Sequence, residues 1–196
     1  MALRSEDVSI DIDLDDDALI GATLAGQREA FGTIVERYER AVYHLCLRTM
    51  RNPEEARDAA QESFFKAFRS LHTFKPGAKF STWIFTIAYH ACCDRLARSK
   101  RFSIGEIPDR ADAGPGPESL SIARDESRVL LEAIDALPLK YRSVISLYHL
   151  QGKQYEEIAR VLDVPIGTVK THIFRAKELL RRRLSKLRDE STEERP

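Results

Sequence analysis

The most informative stretch of the chain is YEEIARVLDVPIGTVKTHIFRAKELLRRRL, which occupies residues 155–184. Its apolar residues recur every three or four positions, which predicts a short helix up to Leu162 and a longer one that starts near Ile166. The triplet DVP at 163–165 separates them, since proline cannot occupy a helix interior. Two helices joined by such a turn form a helix-turn-helix, a motif that places its second helix in the major groove of DNA.

The second helix of this motif has a polar face suited to DNA. One apolar stripe continues along it for several turns from Val169, and the polar residues lie largely off that stripe. Side chains near the start of such a helix reach base edges and phosphates, and each good base contact is worth about 1–3 kcal/mol of discrimination. The candidate DNA-contact residues are Thr168, Lys170, Thr171, His172, Arg175 and Lys177. Taken alone, the pattern leaves open an amphipathic surface helix with a solvated basic face.

Charge is unevenly distributed along the chain, although its formal total is zero. Residues 1–17 hold seven acids and one base, whereas residues 168–188 hold eight bases and one acid. Salt screens exposed charges beyond about 10 Å, so the local field around each segment governs its attraction to phosphates. The zero total therefore does not exclude a nucleic-acid partner. The acidic first segment lacks aromatic residues and predicts a disordered tail.

Residues 18–101 predict a separate bundle of about four helices. The apolar residues follow helical spacing, and no alternation typical of strands appears. Asn52 followed by Pro53 is a strong helix start, because asparagine caps free amides and proline suits the first turn. The pair Pro76-Gly77 predicts a loop at 70–79. The predicted helices cover about 17–26, 31–50, 53–70 and 80–98.

Residues 102–125 differ from what surrounds them. Their prolines and glycines, including the run GPGP at 114–117, predict a flexible linker. Helical periodicity returns at 126, stops at Pro138 and resumes from Lys140 to about Leu150. The predicted fold class is therefore all-α, with two small helical domains at 18–101 and 126–190 joined by this linker. A short tail at 191–196 completes the division.

The cysteines and the hydropathy argue against a disulfide framework, a zinc site and a membrane-spanning helix. Cys46, Cys92 and Cys93 are too few for a disulfide framework, and zinc needs about four ligands, which His90 and its neighbours do not provide. We therefore expect structural thiols, no metal and no cofactor. Hydrophobic residues make up 43% of the chain, but no apolar run is long enough to span a bilayer. The sequence predicts a cytoplasmic protein without membrane insertion.

Three stretches of the chain resemble a known family. DAAQESFFKAF (58–68) and STWIFTIAYHACCDRL (81–96) look like the polymerase-binding and promoter-melting regions of extracytoplasmic-function (group 4) sigma factors of bacterial RNA polymerase. ALPLKYRSV (136–144), with the helix-turn-helix, is similar to the fourth conserved region of that family. The resemblance covers roughly 18–98 and 126–188, in the correct order. It implies a non-enzymatic subunit that binds core polymerase, recognises two promoter elements, promotes DNA melting and is held inactive by an anti-sigma factor.

The resemblance also assigns roles to individual residues. In this family, one helix face grips a coiled coil of the polymerase clamp, and the matching positions here are Asp58, Gln61, Glu62, Phe65 and Arg69. The loop at 70–79 and the helix after it capture a flipped base and follow the non-template strand. The matching positions are His72, Phe74, Lys75, Lys79, Tyr89, His90 and Arg98. Phe80 and Trp83 lie on the inward stripe and are assigned to the core.

Two departures from the family pattern put the base preferences in doubt. Many relatives have asparagine where His90 stands, and arginine is common where His172 stands. A stand-alone helix-turn-helix regulator is the alternative function. Such regulators usually dimerise through a dimerisation or sensing module, which residues 18–101 do not resemble.

Overall fold

The computed structural model describes residues 15–102 and 122–193, with side chains placed for 15–99 and 128–185. A 3-10 turn, Leu71–Thr73, follows α3, and the π-helical segment Ser146–Leu150 continues α6. The described ranges contain no β-strand, so the all-α prediction is confirmed. The helices are α1 (Asp16–Leu24), α2 (Glu29–Met50), α3 (Pro53–Ser70), α4 (Phe80–Phe102), α5 (Ile122–Asp135), α6 (Leu139–Ile145), α7 (Tyr155–Leu162) and α8 (Ile166–Glu193).

Helices α1–α4 form the N-terminal module, and the sharp bend between α2 and α3 follows from local sequence. Arg51 ends α2 in the left-handed conformation, with φ of 59°. The side chain of Asn52 then accepts hydrogen bonds from the amides of Glu54 and Glu55 at 2.9 and 3.1 Å. Those amides have no partner within the helix, so the cap stabilises the start of α3, where Pro53 fits the first turn. The predicted helix start is confirmed.

An aromatic cluster joins the loop after α3 to α4 in the core of this module. The ring centroids of Phe74 lie 5.7 Å from Phe80 and 5.4 Å from Trp83, and Tyr38 of α2 lies 5.4 Å from Phe80. Phe80 is buried and Trp83 half-buried, which agrees with their assignment to the core. The loop between α3 and α4 requires a glycine at position 77, because its φ of +80° is unfavourable for residues with a side chain.

Helices α5–α8 form the C-terminal module, and α7 and α8 make the helix-turn-helix. Asp163 ends α7 in the left-handed conformation, with φ of 52°, a geometry that aspartate tolerates better than most residues. The amide of Val164 closes the turn on the carbonyl of Ala159 at 3.0 Å, and α8 begins after Pro165. The predicted break between the two helices is therefore confirmed.

The helix ends differ from the predicted linker of 102–125. Helix α4 continues to Phe102, and α5 already begins at Ile122. The residues between them, 103–121, lie outside the described part of the chain, as do residues 1–14 and 194–196. The predictions of a flexible linker and of an acidic disordered tail fall almost entirely on those residues.

The two modules pack against each other, chiefly through α4 with α7 and α2 with α6. Helix α4 is consequently buried over more of its circumference than its inward stripe predicts. Ile84 and Ala91 of that stripe are buried as expected, but so are Thr82 and Phe85 on another side. The ammonium of Lys153, from the C-terminal module, lies 5.0 Å from the Phe85 ring. The second module thus covers a side of α4 that the sequence pattern leaves unassigned.

All three cysteines are free thiols. Cys46 and Cys92 are buried, and Cys93 is half-buried, in agreement with the prediction of structural thiols. The two buried thiols lie in hydrogen-bonding contact across α2 and α4. Among the described helices, none is both long and apolar enough to cross a membrane.

Candidate nucleic-acid and polymerase interface

Helix α8 is covered on one side and open on the other. Val169, Ile173 and Ala176 are buried against the rest of the C-terminal module. A helix turns about 100° per residue, so the opposite side carries Thr171 and Arg175, and both are exposed. The remaining predicted contacts lie on the flanks of this outward face, with Lys170 and Lys177 exposed and Thr168 and His172 half-buried. The structure brings the predicted upstream set together on one surface.

His172 is held in place by neighbours on α6 and α8. Its ring meets that of Tyr141 edge-on, with centroids 5.4 Å apart. Partial burial, with lesser contributions from Lys140 and Arg175, lowers its pKa from the usual value, so the imidazole is neutral near pH 7. Arg175 also hydrogen-bonds the phenol of Tyr141. On this surface His172 is therefore a neutral hydrogen-bond donor or acceptor, while Arg175 supplies positive charge.

The sequence interpretation missed Phe174 on the same surface. Its side chain is 70% exposed although it is one of the largest apolar groups in the chain. It follows Lys170 by four residues, so it lies one turn farther along the outward face. An exposed aromatic ring in this position suits the methyl group of a thymine. The sequence could have indicated Phe174, because it is an aromatic residue that lies off the apolar stripe of α8.

Four of the five predicted polymerase-binding residues form one exposed face of α3. Asp58 and Gln61 are exposed, and Phe65 exposes 62% of its surface. The guanidinium of Arg69 lies 5.7 Å from the centre of the Phe65 ring, a cation–π arrangement. Exposed aromatic rings among charged groups are typical anchors of protein interfaces. The structure thus brings these four predicted residues together.

Glu62, the fifth residue of the set, is half-buried and engaged within the module. Its carboxylate pairs with Lys66 at 2.8 Å and with Arg95 of α4 at 3.0 Å. The hydrogen bond from Lys66, and then that from Arg95, lowers the pKa of Glu62 against the opposing effect of burial. Arg95 also reaches Glu55 at 3.3 Å. Glu62 therefore ties α3 to α4, in addition to any contact with a partner.

The predicted downstream residues are dispersed, and two of them need correction. Phe74 is only 9% exposed and packs in the aromatic cluster, so the prediction that it stacks on a flipped base does not fit this structure. Tyr89 is half-buried with its phenol beside Cys93, so it does not lie on an outer face as predicted. Burial is the first cause that raises its pKa, to about 12. The other predicted residues, which are exposed, are His72, Lys75, Lys79, His90 and Arg98.

An open groove of about 640 Å³ runs between α3 and α4. Phe65 and Arg69 line one wall, and Ile87 and His90 line the other. The groove therefore joins the predicted polymerase-binding face to one predicted downstream residue. Among the described side chains, no three His, Cys, Asp or Glu residues are grouped closely enough to hold a metal ion.

Comparison with known proteins identifies the two modules. The family model for Sigma-70 region 2 matches residues 34–102, and that for Sigma-70 region 4 matches residues 127–180. The first match falls on α2–α4 and the second on α5–α8, including the helix-turn-helix. A chain with these two regions in this order is a sigma factor, the DNA-binding subunit of transcription initiation.

Relatives over most of the chain define the family. The chain is 36% identical over 174 residues to the ECF RNA polymerase sigma factor SigW of Bacillus subtilis, and the match covers 83% of this chain and 92% of that protein. It is 32% identical over 178 residues to the ECF RNA polymerase sigma-E factor of Escherichia coli, covering 85% and 93%. The chain therefore belongs to the extracytoplasmic-function (ECF) family of RNA polymerase sigma factors, as its sequence motifs predict.

Solved structures show the same fold. CnrH, in its complex with the cytosolic domain of CnrY, matches with a TM-score of 0.63 at 25% identity, covering 87% of this chain and 97% of that one. The sigma factor RpoE of Bartonella quintana, in complex with the anti-sigma factor NepR, matches with a TM-score of 0.64 at 23% identity, covering 79% and 96%.

Proposed function

We propose that this chain directs core RNA polymerase to promoters by dividing the work between its two modules. The α3 face binds the polymerase, α8 reads an upstream element, and the loop before α4 helps to open a downstream element. The observation that carries this proposal is α8, which is buried on one side and presents Thr171, Phe174 and Arg175 on the other. A major groove is wide enough for one such helix.

The chemistry of the α8 face supports recognition of specific bases. Arg175 can donate two parallel hydrogen bonds to a guanine edge, and Phe174 offers an apolar contact to a thymine methyl group. Lys170 and Lys177 lie on the flank of this face, where they suit phosphates rather than bases. Upstream specificity in this proposal rests on the central residues, and overall affinity rests on the flanking lysines.

The downstream contact is smaller than the sequence suggests. With Phe74 in the core, His72 and Lys75 are the exposed members of the loop that can meet an unpaired strand without rearrangement. Unstacking a base costs a few kcal/mol, and stacking it on an aromatic ring returns about 1–3 kcal/mol. His72 is the ring in the loop that is available for stacking in this structure, while Lys75 and Lys79 suit phosphates.

Partners and location follow from this role. The chain performs no bond chemistry in this proposal, because polymerase forms the RNA bonds, and it works in the cytoplasm with the polymerase and the chromosome. RpoE of Bartonella quintana, of similar fold, was solved in complex with the anti-sigma factor NepR. We infer that an anti-sigma protein binds this chain as well. No described feature favours the stand-alone regulator.

Run-off transcription with purified core polymerase and this chain tests the proposal, and we expect initiation at a small set of genomic promoters. Arg175→Ala removes a base contact worth about 1–3 kcal/mol, so transcription should fall about tenfold or more, unequally among promoters. Arg182→Ala is the control, since Arg182 lies two turns farther along α8 and pairs with Glu178 at 2.5 Å. It should lower all promoters slightly and alike. Absence of initiation at every site, or tight operator binding by a dimer without polymerase, would contradict the proposal.

A further inference from the structure

A buried carboxylate of the C-terminal module meets the start of α4 in the N-terminal module. Glu157 of α7 is only 6% exposed. One of its oxygens accepts hydrogen bonds from the ammonium of Lys79 at 3.2 Å and the hydroxyl of Thr82 at 3.1 Å. The other accepts from the amide of Gln154 at 2.8 Å, which completes a capping box at the start of α7. Burial acts to raise the pKa of Glu157, but these hydrogen bonds outweigh it and lower the pKa, so the carboxylate is charged at neutral pH.

Lys153 makes a second contact across the same boundary. Its ammonium donates a hydrogen bond to the hydroxyl of Ser81 and lies 5.0 Å from the centre of the Phe85 ring. The side chain is buried although it belongs to a lysine, a residue that is rarely buried without a partner. Its partners across the boundary lie on α4.

Arg142 makes a third contact, at the other end of the boundary. Its guanidinium donates to the carbonyls of Arg48 and Thr49, at the carboxyl end of α2, where helix carbonyls have no partner within the helix. It also donates to the carbonyls of Asp135 and Leu137 in its own module, at 3.0 and 2.7 Å. Arg142 is only 5% exposed, so its burial depends on the modules being together.

We propose that these three contacts form a latch, defined by Glu157, Lys153 and Arg142 with their partners, which holds the free protein closed and excludes simultaneous binding of both promoter elements. The proposal rests on the function proposed above. There, Lys79 is a phosphate contact at the downstream element, but in this structure its ammonium pairs with Glu157 at 3.2 Å. The two DNA surfaces belong to modules that pack together through α4 and α7, and in this proposal that contact opens when each module meets its own element.

The chemistry of the latch explains how DNA would open it. Glu157 contacts the first turn of α4 through the Thr82 hydroxyl, and the helix dipole favours a negative group at this end of a helix. A DNA phosphate is the same kind of ligand for this end of the helix and for Lys79. The latch contacts are ion pairs and hydrogen bonds, and water can solvate their groups after the modules separate. A DNA phosphate and water can therefore replace the partners in the latch.

Carbodiimide coupling tests whether the closed state exists in solution. This reagent joins a carboxylate to an amine only when the two are in direct contact, and Lys79 and Glu157 lie 3.2 Å apart. We expect a Lys79–Glu157 peptide in the free full-length chain, at a yield independent of protein concentration, and a yield at least fivefold lower in the polymerase–promoter complex. The pair Lys66–Glu62, at 2.8 Å within α3, measures reagent access in the free chain. No Lys79–Glu157 peptide in the free chain, or an equal yield in the complex, overturns the latch.

A charge variant tests whether the latch restrains DNA binding. Glu157→Gln keeps the acceptor for the Gln154 amide but loses the charge that faces Lys79. A binding constant is reduced by the fraction of open molecules, so opening should tighten promoter DNA binding without polymerase by about threefold to tenfold. Glu132→Gln is the matched control, since it makes the same charge change and its ion pair with Arg128 stays within α5. An equal increase in promoter affinity for Glu157→Gln and Glu132→Gln would overturn the proposal.

The two proposals fail in different ways. Run-off transcription by the unmodified chain tests the sigma role and does not depend on the latch. The cross-link in the free chain tests the latch without polymerase. A chain that initiates transcription but gives no Lys79–Glu157 peptide would therefore remove the latch and leave the proposed function in place.

Discussion

The predicted upstream and downstream faces of the molecule differ in how openly they present their predicted DNA-contact residues. On α8, the central residues Thr171 and Arg175 face solvent. In the loop before α4 and along α4, by contrast, Phe74 is in the core, Tyr89 is half-buried and Lys79 is paired with Glu157. Under the proposed function, the upstream residues are accessible in the free chain, whereas Lys79 must leave Glu157 before it can contact a downstream phosphate.

The cause of the difference is the number of neighbours that each helix has. Helix α8 rests on its own module along one stripe, so helical spacing separates buried from exposed residues correctly. Helix α4 packs against α2 and α3 on one side and against α7 on another. Spacing alone detects a single buried stripe and carries no information about a second module.

The largest effect is expected from Phe74→Ala, which tests whether this ring belongs to the core. Loss of a buried aromatic ring costs about 3–5 kcal/mol, because a cavity is left beside Phe80 and Trp83. Urea unfolding of the full chain should show this loss, and Phe74→Leu should recover much of it. Phe65→Ala is the control, since that ring is exposed and its loss should change stability by less than about 0.5 kcal/mol. Unchanged stability of Phe74→Ala together with a defect in promoter opening would restore the base-stacking role.

The second-largest effect is expected from Phe65→Ala, measured as a loss of affinity for core polymerase rather than of stability. An exposed aromatic anchor contributes about 2 kcal/mol or more when its interface forms, so Phe65→Ala should weaken association by about thirtyfold. A fluorescence titration of labelled chain with core polymerase measures this. Gln61→Ala, on the same exposed face, should weaken association less. Wild-type affinity of the Phe65 variant would show that the polymerase binds elsewhere.

Most of the fold was predictable from the sequence, because its signals are local. The cap at Asn52 and the break at Pro165 depend on a few neighbouring residues, and both are confirmed. The exposed face of α3 was also predictable, since only one side of that helix is apolar. The burial of Phe74 was not predictable, because loop residues have no periodicity that reveals which way their side chains point. The burial of Glu157 was not either, since it requires a contact with residues about 75 positions earlier in the chain.

The smallest effect is expected from Tyr89→Phe, which tests whether the phenol belongs to the contact between the modules or to DNA. The variant keeps the ring and loses the hydroxyl that bonds Cys93. One such hydrogen bond contributes about 1 kcal/mol, so a slight loss of stability is expected and no loss of promoter opening, measured with permanganate on unpaired thymines. Because the pKa of Tyr89 is raised to about 12, its phenol should also stay protonated through pH 10 in an ultraviolet titration, unlike an exposed tyrosine. A variant with normal stability but slow promoter opening would place the hydroxyl on the DNA strand, and would make the downstream face as open as the upstream one.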